Sequence, residues 1–317
     1  MSYINFFICC LFFLIQINVS SLLKANTENG TDSTSLKEIF CLNYHFDVGD
    51  TLIYSLASTD SILSMSEPAL LKRRFEVIYL ICDSINTKGH FFLSQSLNSF
   101  RSKESFGNQE TEEITNNPWV GRKASFEIDS SGKRFLLHSS QGDAAMCPGG
   151  AFQPQLINNL GNSCNTYNTS WISEANDGLV ENGLPVPVMQ HSYLYRIKET
   201  AESYGYKCQK LEFIRSGQGA VSLFDGTDTT KVNVVASGSG VLALSQEFHI
   251  PISLLSIVEL KISFILPDKS EKHLKHFNNS QYLLEEIKKA LPKPKENKFS
   301  KIKKKIKHKH KKISSTH

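Results

Sequence analysis

The sequence predicts an all-β fold: two tandem antiparallel β units, half-barrel or sandwich-like, then a short C-terminal helix and a disordered basic tail. Three observations carry that prediction. Between Cys41 and Leu266 apolar residues recur with a period of two, the pattern of strands with one buried face. No stretch of roughly 12 residues or more in that span keeps a helical period, so the crossover helices that parallel strands require are missing. Ser130-Ser131-Gly132 separates two alternating runs as a hairpin turn does.

The elements follow in chain order. Phe6 to Val19 is apolar apart from Gln16 and Asn18, which reads as the hydrophobic region of a signal peptide, although Lys and Arg are absent before it. Small residues favour cleavage after Ser21, with Ala25 second and a retained anchor as the alternative. Residues 1–21 are therefore assigned to the signal and 22–40 to a flexible polar leader. The first β unit, 41–145, contains Thr51-Leu52-Ile53-Tyr54 and then a run from Glu76 to Cys82 that is apolar on both faces, where Cys82 is read as a small buried hydrophobe. Ala124 to Asp129 alternates and turns into Arg134-Phe135-Leu136-Leu137.

Residues 146–167 form a connector rich in Gly, Pro, Asn and Cys, with room for one short helix near 152–160 whose apolar side is Leu156, Ile157 and Leu160. The second β unit, 168–266, puts Tyr193, Tyr195 and Ile197 on one strand face. Ser237-Gly238-Ser239-Gly240 is expected to be a tight turn, and 252–264 a long strand or two bent ones. In 267–292, Asn279 or Ser280 can cap a helix over 281–291 that Pro292 and Pro294 stop. The halves can be overlaid, with Val77, Tyr79 and Ile81 on Tyr193, Tyr195 and Ile197, Gly89 on Gly205, and Ser131-Gly132 on Ser239-Gly240, which suggests an internal duplication.

Gly49-Asp50-Thr51-Leu52-x-Tyr54, Gly205-Tyr206-Lys207-Cys208-x-Lys210-Leu211-Glu212-Phe213 and Gly238-Ser239-Gly240-Val241 resemble uncharacterised exported bacterial proteins made of tandem antiparallel β units. In outline these are similar to the periplasmic lipoprotein-carrier half-barrels. That resemblance covers about residues 41–266 and implies a curved sheet able to hold acyl chains. It carries no functional residue across.

Charge is segregated. The chain has 317 residues and a net charge of +4, but residues 293–312 hold eleven Lys and one Glu, leaving 24 basic against 30 acidic residues elsewhere. Partner arguments based on charge therefore belong to the tail of residues 293–317, where Lys303, Lys304, Lys305 and Lys307 could touch an anionic membrane or envelope polymer. Phe299 is the one aromatic among those lysines, which argues against nucleic acid as the partner. Five cysteines follow the signal, and Cys147 with Cys164 encloses a short loop that a disulfide could close.

Motifs for chemistry are sparse. No G-x-S-x-G elbow, phosphate loop or Cys-x-x-Cys occurs, and the strand expected after Gly238 defeats a dinucleotide reading of Gly238-x-Gly240. His273-x-x-His276 lacks a third ligand nearby and reads as two solvated imidazoles, and Asp225-Gly226-Thr227-Asp228 as a turn. Neither a metal nor a cofactor is expected. Tyr79, Tyr193, Tyr195, Trp171 and Phe213 remain as the large side chains that would line an apolar ligand groove in an open half-barrel, or fill the core of a closed sandwich. The leading expectation is a non-enzymatic envelope protein binding a lipid or other apolar or amphipathic ligand. A solid interaction module and an exported hydrolase with an unrecognised site are the alternatives.

Overall fold

The computed structural model describes residues 39–64, 68–107, 109–117, 120–139, 155–161, 164–177, 188–224 and 228–290. These build an all-β protein of fourteen strands: β1 Ile39–Cys41, β2 Thr51–Ser64, β3 Leu70–Ile85, β4 Phe91–Phe106, β5 Gln109–Glu110, β6 Lys123–Ile128, β7 Arg134–Ser139, β8 Cys164–Thr166, β9 Ser170–Asp177, β10 Val188–Ser203, β11 Tyr206–Phe224, β12 Thr229–Ser245, β13 Pro251–Ile265 and β14 Glu271–Lys288. The large sheet is one antiparallel meander that starts in mid-chain. It runs from β9 through β14 in order, passes from β14 to β2, and continues through β3, β4 and β6 to β7, with β5 as an extra rung on β4. The N-terminal and C-terminal long strands thus pair, Tyr54 opposite Leu284 and Asp60 opposite Asn278. Both stretches expected to be separate β units contribute to this one sheet.

The edges β7 and β9 approach each other but share no ladder among the described residues. A nearly closed sheet with one seam results. The other sheet is the pair β1–β8.

Local chemistry explains the hairpins. Tyr204 and Gly205 both have positive φ, 51° and 80°, between the paired Ser203 and Tyr206. A two-residue turn of that hand matches the twist of the strands it joins. At the β6–β7 turn the Asp129 carboxylate accepts hydrogen bonds from the backbone N–H groups of Ser131 and Lys133, so the expected hairpin forms. Strand alternation then selects the inner face. Tyr54, Leu56, Ile78, Leu80, Tyr195, Ile197, Leu211, Leu242, Leu254 and Tyr282 are buried there in one core, which Leu42, Tyr44, Phe46, Leu156, Ile157 and Leu160 fill from the segments outside the sheet. Cys82 is buried in the same core and free, as expected.

Several expectations are corrected. Residues 281–288 are strand, not helix: Asn278, Ser280, Tyr282 and Leu284 are buried at every second position, and ladders from β13 on one side and β2 on the other override the local helix preference. Leu291 and both prolines lie outside the described residues. Leu156, Ile157 and Leu160 are buried without forming a helix, because their segment is held by its contacts with the β6–β7 turn, including Leu160 N–H to Ser131 O at 2.8 Å. Cys164 is bonded to Cys41 rather than to Cys147, since the β1–β8 register sets Cys41 directly opposite it. Cys147 itself lies outside the described residues.

Ser237-Gly238-Ser239-Gly240 is not a turn but the middle of β12. Gly240 faces inward opposite Phe213, and a Cβ there would collide with the Phe213 ring and with the Leu255 carbonyl oxygen. Glycine therefore permits the ring to lie on the strand. Gly240→Ala is expected to cost about 1–3 kcal/mol as an overpacked site. Urea denaturation should show that cost shrinking when Phe213→Ala is combined with it, and full additivity would contradict the packing explanation. The proposed overlay of halves also meets the pleat. Tyr193, Tyr195 and Ile197 are buried on the inner face, whereas Val77, Tyr79 and Ile81 lie on the outer face of β3, whose buried positions are Glu76, Ile78, Leu80 and Cys82. That offset therefore pairs opposite faces.

Candidate functional site

The strand register lays inner-face residues in transverse rows. One row runs Trp171, Tyr195, Phe213, Gly240, Ser256, Ser280, Ser58, Arg74 and Ser102 from β9 to β4. The next runs Ser173, Tyr193, Arg215, Gly238, Val258, Asn278, Asp60, Lys72 and Glu104. Aromatic groups occupy one side of these rows and charged or hydroxyl groups the other.

On the polar side, Arg74 is the hub. Its Nε donates to Asp60 Oδ2 at 2.8 Å, one terminal nitrogen to Glu76 Oε1 at 2.8 Å and the other to Ser58 Oγ at 3.1 Å. Asp60 Oδ1 also accepts from Asn278 Nδ2 at 2.7 Å and lies 2.8 Å from His276 Nε2. The side chains of Arg74, Asp60 and Glu76 are 8%, 4% and 1% exposed, so their charges meet little solvent. Burial acts to raise the Asp60 carboxyl, but the His276 hydrogen bond and the Arg74 charge outweigh it and bring it down to about 2. Burial dominates at Glu76 and pushes its carboxyl up despite Arg74, and its Oε2 is buried without a hydrogen-bond partner. His276 is thus inward and bonded, whereas His273, three residues along the strand, is exposed beside Ser263. The strand period sets the two on opposite faces, so the reading as two solvated imidazoles holds for His273 and not for His276. Among the described residues no group of three or more His, Cys, Asp or Glu is placed to hold a metal ion.

Arg215 presents the contrast. It is 5% exposed, its Nε has no partner, and no described carboxylate forms an ion pair with it. It stands across the β10–β11 ladder from Tyr193 and across β11–β12 from Gly238. Around it Trp171 and Tyr193 stack on Tyr195 at centroid distances of 5.4 and 5.6 Å, and Phe213 meets both tyrosines at 5.8 and 5.9 Å. Trp171 Nε1 donates to Leu160 O at 2.8 Å, fixing the ring against the 155–161 segment. The Tyr195 hydroxyl is buried and unpartnered, and burial holds its pKa well above the usual range.

At the seam, a cavity of about 350 Å³ is bounded by the β6–β7 turn, the 155–161 segment and β9. Arg134, Asn158, Asn159 and Glu174 line it, with Tyr193 among its walls. A second cavity, about 210 Å³, lies between Phe46, Asp50, Leu80, Phe248 and Lys289. There Lys289 donates to Asp50 at 2.6 Å and to Asp47 at 3.2 Å, tying the residues after β14 to the start of β2.

The structure thus gathers four of the five groove candidates, Trp171, Tyr193, Tyr195 and Phe213, into one aromatic group. Tyr79 is apart from them, half-buried on the outer face with Lys288 Nζ 5.9 Å from its ring centre. Lys303, Lys304, Lys305 and Lys307 lie outside the described residues. Reading the sequence assigned no role to Asp60, Arg74, Glu76 and Arg215 and took His276 for a solvated imidazole, although Arg215 shares the strand parity of Leu211 and Phe213.

No family model and no curated sequence matches the chain. Among solved structures it is similar to lipovitellin, studied for its lipid–protein interactions, with a TM-score of 0.43 and 10% identity over 79% of this chain and 26% of that one. It therefore spans about a quarter of the lipovitellin chain. It is also similar to an outer membrane channel from Pseudomonas putida F1, with a TM-score of 0.28 and 9% identity over 81% of this chain and all of that one.

Proposed function

We propose that this chain is an exported, non-enzymatic β container that holds an amphipathic ligand within its curved sheet and admits it at the seam between β7 and β9. One observation carries the reading: among the described residues the sheet is left unpaired between β7 and β9, where a cavity of about 350 Å³ with a polar lining meets Tyr193 of the aromatic group. The lining is mostly polar, with Lys133, Arg134, Gln155, Asn158, Asn159 and Glu174 beside Ile157, Ala175 and Tyr193, so the cavity suits the polar end of an amphipathic ligand and the aromatic group behind it the apolar end. Export is supported by the apolar run 6–19 and by the Cys41–Cys164 disulfide, since such bonds persist in oxidising compartments. The lysines beyond residue 292 would then rest on an anionic envelope surface.

A solid interaction module is the second reading. It is favoured by the close packing of Trp171, Tyr193, Tyr195 and Phe213. Native mass spectrometry of the full chain purified from its own host separates the two. The container is expected to carry a bound lipid mass that organic extraction removes; repeated gentle preparations that are always empty would leave the solid module.

A further inference from the structure

We infer that the ligand is a single-chain amphiphile with an anionic head, a carboxylate or a phosphate monoester, and that Arg215 holds that head. The inference rests on the container reading and adds the chemistry of the ligand. A charge removed from water is stabilised only by a well-placed counter-charge and hydrogen bonds. Arg74 has both, with two carboxylate oxygens at 2.8 Å. Arg215 is as deeply buried and has neither among the described residues. Its planar fork suits carboxylate and phosphate oxygens, which it can bind in pairs. The unpartnered Tyr195 hydroxyl, within the electrostatic reach of Arg215, offers the same head another donor.

The chain would follow the apolar residues next to that head, and β12 and β13 have to yield to it, since even a Cβ on Gly238 would meet the Ile257 carbonyl oxygen. Arg215 pairs with Gly238, which has no side chain, and Gly238 pairs with Val258. From there the inner faces of β12 and β13 carry Ala236, Val234, Val232, Leu260 and Ile262, an apolar cluster separate from the main core. Between Gly238 and Val232 the stripe is about 20 Å long at the rise of a strand, the reach of a long acyl chain. The stripe is covered, its members at most 9% exposed, so loading has to open the interior. Opening at the seam breaks no ladder between β7 and β9 among the described residues, but it has to release the 155–161 segment, which bonds Ser131 on one side and Trp171 on the other.

The test uses the delipidated full chain and three probes of equal chain length: palmitic acid, palmitoyl lysophosphatidic acid and hexadecanol, titrated by calorimetry. The two anions are expected to bind at least tenfold more tightly than the alcohol, and Arg215→Met to bring them down to the alcohol's level. Arg215→Lys, which keeps the charge and loses the fork, should weaken both anions yet retain a preference for them. The relative affinities of the two anions tell carboxylate from phosphate. An alcohol bound as tightly as the acids, or an acid preference that survives Arg215→Met, would overturn the inference and leave the container standing. Failure of the wild-type chain to bind any of the three removes both. Should Arg215→Met not fold, the wild-type acid-to-alcohol ratio and Arg215→Lys still decide.

Discussion

Replacing Arg74 by Met is expected to destabilise the protein by about 3–5 kcal/mol, the usual cost of leaving buried charge without its partner. Asp60 and Glu76 are 4% and 1% exposed at the side chain, so solvent cannot take over the role of the guanidinium. The same reasoning distinguishes breaking the network from replacing it. Arg74→Met combined with Asp60→Asn and Glu76→Gln leaves no charge to compensate and should recover much of the loss, whereas additive losses in the triple variant would refute the electrostatic account.

Titration provides an independent reading. Asp60 falls from 3.8 to about 2 on folding, so the unfolded chain binds its proton more readily. Its stabilisation is present above the unfolded value and is lost as pH drops from about 4 towards 2. Glu76 shifts the opposite way from 4.5, so the folded chain holds its proton longer and stability declines as pH rises through that range. Glu76→Gln should therefore flatten the profile above pH 4.5 and leave the acid limb, which belongs to Asp60, in place. Urea midpoints measured from pH 2 to 8 show both limbs.

What the sequence revealed followed from the pleat. A strand with one buried face alternates, and so the all-β class and the β6–β7 turn were legible. Where alternation fails, inference failed with it. The run from Glu76 to Cys82 is apolar at both parities, and only packing shows that Glu76, Ile78 and Leu80 point inward while Tyr79 does not. Polar residues on the inner face were read by their ordinary preferences: Ser280 as a helix cap and His276 as solvated, although Ser280 is fully buried and His276 bonds Asp60. Their common parity with Tyr282 and Leu284 was the signal available. The β14–β2 ladder, whose partners Asp60 and Asn278 are 218 residues apart, leaves no mark in any local window. The charged site depends on that ladder, which explains why it was hidden.

The Cys41–Cys164 disulfide is expected to contribute stability of a similar order. It closes a loop with a sequence separation of 123 residues. Chain-entropy reasoning gives about 4–5 kcal/mol for a loop of that size, and removal of a native bridge in practice costs about 2–5 kcal/mol. Its position adds to its effect. Between the halves of the meander, the β2–β14 ladder provides a long join on one side, while β7 and β9 meet without one among the described residues. The bridge ties β1, which precedes β2 in the chain, to β8, which leads directly into the seam strand β9. Phe40 and Tyr167 pack at 4.4 Å beside it, and the Tyr167 hydroxyl bonds Thr200 of β10 at 2.6 Å, so β1 is anchored to the far half of the sheet. Cys41→Ser with Cys164→Ser should lower the urea midpoint and speed amide exchange first in β7 and β9. Cys82 and Cys208 are buried and free, and burial raises both thiols to about 11, so neither should react with a thiol reagent in the folded protein. Equal midpoints with and without the bridge would show that the core alone holds the seam; exchange that accelerates everywhere at once would show that the bridge acts on the whole fold and not on the seam.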